Sequence, residues 1–163
     1  MGGYRYFGDG ININRDLENS GMNINRLTRT IERHEGFRSK PYRCTSSKLT
    51  IGIGRNLDDV GIRYSEAKFM LKNDLEECRL DLRKIFPQQL DSLPDYVQEV
   101  LMNMRFQLGS RGFRGFKKLI GAVHGWDFEL AAIEMLVSRW ARQTPERANE
   151  LAGVMRHGFG KVY

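Results

Sequence analysis

Apolar positions recur at helical spacing along most of this chain, and only around residues 36 to 54 does the rhythm shorten to alternation. Ile24, Leu27 and Ile31 predict a first helix that starts at Asn23 or Asn25, either of which can cap it. Glu35 falls one turn beyond Ile31 on the same side, and Gly36 supplies a left-handed stop. Two short β-like segments follow, Pro41–Cys44 and Leu49–Ile53, joined by a small polar turn. A polar link, Arg55–Gly61, leads to Tyr64–Phe86, where Ala67, Met70, Leu71, Leu75, Cys78, Leu82 and Ile85 mark one long amphipathic helix that Pro87 ends.

From Pro94 onward the pattern is helical throughout. The expected helices are Asp95–Leu108, stopped by Gly109; a short piece, Phe113–Val123; Asp127–Trp140, with Ile133, Leu136, Val137 and Trp140 as its buried face; and Thr144–His157, stopped by Gly158. Thr144-Pro145-Glu146 reads as a start signal, with a cap, a fixed φ and an acid in the first turn. The expected fold class is α+β and mostly helical: a hairpin lobe over residues 36–62, a bridging helix over 64–86 and a helical lobe over 87–163. Residues 1–22, rich in Gly, Asn, Arg and Tyr without periodicity, read as a flexible N-terminal extension. Tyr4, Tyr6 and Phe7 keep a docking peptide open, and the echo of Asn12-Ile13-Asn14-Arg15 in Asn23-Ile24-Asn25-Arg26 is too short to signal a solenoid.

Composition narrows the partners. A chain of 163 residues with 40% apolar content is long enough for one domain or two small lobes. Twenty-six Lys and Arg against twenty Asp and Glu give a formal charge of +6, which favours nucleic acid, an anionic membrane face or an acidic polymer such as peptidoglycan. The basic residues are scattered over every segment and form no stripe with aromatics, which argues against nucleic acid. The two cysteines, Cys44 in the hairpin and Cys78 in the long helix, read as free thiols. No segment has the apolar length of a membrane span, and the first thirty residues lack the apolar core of a secretion signal, so work outside the cytoplasm requires a separate release route.

The candidate chemistry gathers at the change of rhythm. Glu35 sits at the C-terminal end of a helix dipole, a setting suited to a proton donor, and is aimed at the hairpin. Gly52 and Gly54, alternating with Ile51 and Ile53, clear one face of the second strand for a close approach by backbone or ligand. Spacing alone equally admits an ordinary helix-to-hairpin connection with a solvated glutamate.

Glu35, Cys44 and Thr50 followed by Ile51-Gly52-Ile53-Gly54 resemble the active-site stretch of the phage-type lysozymes, muramidase endolysins related to the T-even phage enzyme. In that family a Glu, an Asp nine residues later and a Thr six residues after that form the catalytic trio; here Cys44 stands at the Asp position. Asn103-Met104-Arg105-Phe106-Gln107-Leu108-Gly109 resembles the family's sugar-lining helix, which implies substrate binding by Asn103, Phe106 and Gln107. Ser138-Arg139-Trp140 with Gln143-Thr144-Pro145-Glu146-Arg147-Ala148 resembles its signature near the C-terminus, and implies that Arg147 steadies Glu35.

The resemblance implies a lysozyme-like fold and hydrolysis between N-acetylmuramic acid and N-acetylglucosamine, without metal or cofactor. It further implies a monomer made in a host cytoplasm, acting on the cell wall and released by a holin or another route. Cys44 leaves three roles open: a thiolate that orients water, a nucleophile, or an idle residue beside a Glu35 working alone as in lytic transglycosylases. A binding or virion protein that lost the chemistry is the alternative from another class. Arg43 and Lys48 are expected to raise the thiolate fraction of Cys44 and an ionised Glu35 to lower it.

Overall fold

The computed structural model describes residues 21–161, so the N-terminal extension expected over residues 1–22 lies almost entirely outside the described residues. The chain forms two compact units that divide between Arg63 and Tyr64.

In the first unit, α1 (Ile24–Glu35) starts at Asn23, whose side chain accepts from the Arg26 amide at 2.9 Å. It stops at Gly36, whose N–H returns to the Glu32 carbonyl at 2.8 Å. Strands β1 (Arg38–Arg43), β2 (Leu49–Gly52) and β3 (Arg55–Asn56) follow in a three-stranded antiparallel sheet of order β1-β2-β3. Tyr42 faces Thr50 and Arg43 faces Leu49, and Thr50 also faces Asn56. The β1–β2 register shifts between Arg38 and Tyr42, around Pro41, which has no N–H to give and is tolerated on an edge strand. β1 therefore begins three residues before the expected Pro41, on polar residues that carry no alternation. β3 falls inside what reads from sequence as a polar link, because two residues are too few to show a period. It is fixed by Leu57 N–H donating to the Leu49 carbonyl at 2.7 Å and by Leu49 N–H donating to Asp58 at 2.8 Å.

The second unit is helical. It comprises α2 (Tyr64–Ile85), a 3₁₀ turn (Leu90–Ser92), α3 (Asp95–Arg114), α4 (Lys117–His124), α5 (Phe128–Leu136), α6 (Arg139–Gln143), α7 (Pro145–His157) and a 3₁₀ turn (Phe159–Lys161). Its core gathers Leu82 from α2, Phe86 just beyond its end, Val97, Leu101, Met104 and Phe113 from α3, Met135 from α5 and Met155 from α7. Gly109 breaks the helical path inside α3, at φ 68° and ψ 170°, where the sequence places a stop; the chain then resumes as a short second arm, Ser110–Arg114.

Two expectations are corrected here. Asp127–Trp140 is two helices, because Val137 ends α5 and the Ser138 hydroxyl caps α6 by accepting from Ala141 N–H at 3.0 Å. The buried face of α5 is consequently Ala131, Ala132 and Met135; Ile133 and Val137 are exposed, and only Trp140 of the expected set is fully buried. Thr144 precedes α7 but does not cap it with its side chain: the hydroxyl donates backward to the Trp140 carbonyl at 3.1 Å, tying α7 to α6. Cys44 and Cys78 are both free thiols, as expected. No described helix is long and apolar enough to cross a membrane.

Candidate active site

Glu35 is the last residue of α1, and the stop at Gly36 leaves its side chain at the hairpin. A β-carbon built on Gly54 would lie 3.1 Å from Glu35 Oε2. Gly54 also has φ +72°, a left-handed backbone that side chains resist. The close approach foreseen at Gly52 and Gly54 therefore occurs at Gly54, and the group that approaches is the Glu35 carboxyl itself. Gly52 faces open space.

Cys44 closes the other end of the hairpin. Its N–H donates to the Lys48 carbonyl at 3.0 Å and its carbonyl accepts from Ser47 N–H at 2.8 Å, with Ser47 at φ 59°. This is the three-residue hairpin loop in which a turn is followed by a left-handed residue. The loop directs the backbone N–H groups of Ser46 and Lys48 at the half-buried Cys44 sulfur, and these hold its pKa below the ordinary thiol value, against the opposing effect of desolvation. The hydroxyls of Thr50 and Ser46 add to the same effect. Thr50, buried in β2, sits between two acceptors: the Lys48 carbonyl at 3.1 Å and the Cys44 sulfur.

The thiolate is thus favoured chiefly by backbone dipoles, with a lesser attraction to the Lys48 ammonium. The Arg43 guanidinium donates to the Ser47 carbonyl at 2.7 Å, and the Lys48 ammonium pairs with Asp59 at 2.9 Å.

The remaining site residues belong to the second unit. Asn103, Phe106 and Gln107 lie on the first arm of α3, and Arg147 lies in the first turn of α7. Arg147 donates through Nε, at 2.9 Å, and through Nη2 to the same Asn103 Oδ1. Gln107 Oε1 accepts from Trp140 Nε1 at 2.8 Å, and Trp140 is held edge-on to Phe116, with ring centroids 6.2 Å apart. Phe106 is 43% exposed, so its ring is open to solvent on this arm. The structure therefore joins Cys44 to Thr50 and Asn103 to Arg147, sets Glu35 against Gly54, and fixes Gln107 by Trp140. Sequence reasoning missed Trp140 as a partner of Gln107; an indole N–H on a buried face is the signal, since it needs an acceptor. Beside this pair lies a cavity of about 740 Å³ whose walls include Leu108, Gly112, Phe116 and Trp140.

The phage lysozyme family model matches residues 32–157, which takes in Glu35, the hairpin and every helix from α2 to α7. The chain belongs to the phage lysozyme family. It is also similar to the probable T4-type lysozyme 2 of Dictyostelium discoideum, at 25% identity over 168 residues that cover 86% of this chain and 99% of that one. Membership makes this chain a lysozyme-type hydrolase with peptidoglycan as its substrate.

Proposed function

We propose that this lysozyme-family protein is an endolysin-like muramidase that hydrolyses the β-1,4 bond between N-acetylmuramic acid and N-acetylglucosamine, with Glu35 as the general acid. The supporting observation is the Glu35 carboxyl set against the bare backbone of Gly54, in the stretch that resembles the family's active site. Cleavage needs a proton on the leaving oxygen and a water aimed at the anomeric carbon. Glu35 supplies the proton. The Cys44 thiolate, favoured by the Ser46 and Lys48 amides, orients the water in place of the family's Asp, and the Thr50 hydroxyl steadies both the sulfur and the water. An acceptor that only holds water tolerates the change from oxygen to sulfur better than a nucleophile does. Asn103, Phe106, Gln107 and Arg147 bind the glycan: amides and a guanidinium suit hydroxyl and acetamido groups, and an exposed phenyl suits the flat face of a sugar.

In this reading the protein is a monomer, made in a host cytoplasm and released to the wall by a holin or another route. Glu35→Gln lowers turnover of purified peptidoglycan at least about 100-fold, the scale of a lost general acid, while circular dichroism and melting temperature stay unchanged. A folded Glu35→Gln protein with near-parental turnover ends the assignment.

Cys44 also favours a second reading. A chain without the second carboxylate can close the muramic sugar on itself, as lytic transglycosylases do, using Glu35 alone. The two reactions leave different ends on the glycan, reducing in one case and anhydro in the other.

A further inference from the structure

Three charged side chains meet across the break in α3, and none of them belongs to the residues assigned above. Asp81, on α2, pairs through Oδ2 with Arg105 Nε and through Oδ1 with Arg114 Nη2, both at 2.6 Å. Arg105 precedes Gly109 and Arg114 follows it. The Ser110 hydroxyl, next to the break, donates to the same carboxylate and accepts from Arg114 Nε at 3.3 Å. The Asp81 and Arg105 side chains are only 13% and 16% exposed, so these contacts are largely shielded from solvent.

The break itself cannot set the angle between the two arms. At Gly109 the backbone leaves the helical path, so that angle depends on contacts from outside α3. One carboxylate that grips a residue before the break, another after it and the serine beside it is such a contact. An ion pair that merely joined α2 to α3 would need one arginine.

The angle matters for the assigned residues. The first arm carries Asn103, Phe106 and Gln107; the second carries Gly112, which shares the wall of the 740 Å³ cavity with Leu108 and Trp140. We propose that Asp81 is a positioning residue for glycan binding: by clamping both arms of α3 it keeps Gln107 on the Trp140 indole and the glycan-binding face of α3 in place. The inference rests on the reading of Asn103, Phe106 and Gln107 as glycan-binding residues.

The test compares Asp81→Asn, which keeps the shape and removes the charge, with Asp81→Glu, and with Leu82→Ala as a control that weakens the core from the same helix. At a temperature where all are folded, Asp81→Asn raises KM for soluble peptidoglycan fragments about tenfold and leaves kcat within about twofold, as a misplaced binding group does. Asp81→Glu recovers part of that loss, and Leu82→Ala lowers the melting temperature without raising KM. The chain has two tryptophans, so two indole N–H resonances report independently of activity. The Trp140 resonance moves in Asp81→Asn and the Trp126 resonance does not. An unmoved Trp140 resonance, or a KM no higher than that of Leu82→Ala, overturns the clamp. If the parent protein cleaves no fragment, the assigned function fails, and the indole resonances still decide whether Asp81 holds Gln107 on Trp140.

Discussion

Cys44 is where the residue-level chemistry departs from the resemblance, and backbone geometry is what sets its ionisation. The Ser46 and Lys48 amides lower its pKa, so the thiolate fraction at any pH below the ordinary thiol value is larger than in a free cysteine. If the thiolate orients water while Glu35 donates the proton, turnover needs Glu35 protonated and Cys44 ionised together, and its pH profile is bell-shaped. In Cys44→Asp that profile moves toward acid, because a carboxylate ionises at lower pH than a thiol. Cys44→Ala loses most of the rate at every pH. A pH–rate profile of the three proteins checks this, and full activity in Cys44→Ala rules out the role. The loop's backbone donors could not be read from the sequence, since a backbone N–H has no side-chain signature. What the sequence did offer was the charge of Arg43, which binds the Ser47 carbonyl, and of Lys48, which pairs with Asp59 and attracts the sulfur more weakly.

Gly54 was legible only as a position without a side chain. Gly54→Ala forces a left-handed alanine, which costs about 1–3 kcal/mol, and pushes its β-carbon toward Glu35 Oε2. It therefore lowers both stability and turnover, whereas Gly52→Ala, strained but facing open space, lowers stability with little effect on turnover. Equal turnover losses in the two variants would contradict the placement of Glu35.

At the scale of elements, the sequence was informative wherever a period ran long enough or a cap was chemical. The Asn23 cap, the extent of α2, the break at Gly109 and the end of α7 at Gly158 all lie where spacing puts them. It misled where one period bridged two helices: Ile133, Leu136, Val137 and Trp140 are in phase, but Val137 leaves the helix and the phase is lost. The Asp81 contacts were hidden for another reason. Asp81 and Arg105 look like surface charges until α2 and α3 are packed together.

Burial alone would raise the Asp81 pKa, yet its hydrogen bonds with Ser110, Arg105 and Arg114 outweigh that and lower it from 3.8 to about 2. A depressed carboxylate stabilises the fold above its unfolded value and loses that contribution as pH falls through its folded value. Between pH 5 and pH 2 the parent protein should lose about 2 kcal/mol that Asp81→Asn has already lost. Urea unfolding at the two pH values measures it, and parallel losses in both proteins would contradict the shift.

Over the whole molecule, what the sequence conveyed best was kinship. Motifs at residues 35–54, 103–109 and 138–148 appear in the family's order, and the family model spans residues 32–157. The charge of +6 agrees with an acidic wall polymer but does not choose it; the family does. The bond cleaved is the central claim, and the products of one digestion test it most directly. Purified peptidoglycan treated with the protein and analysed by mass spectrometry should release fragments with reducing N-acetylmuramic ends, and Glu35→Gln should release none. Anhydro-muramic ends would transfer the assignment to the transglycosylase reading, and intact glycan would contradict both.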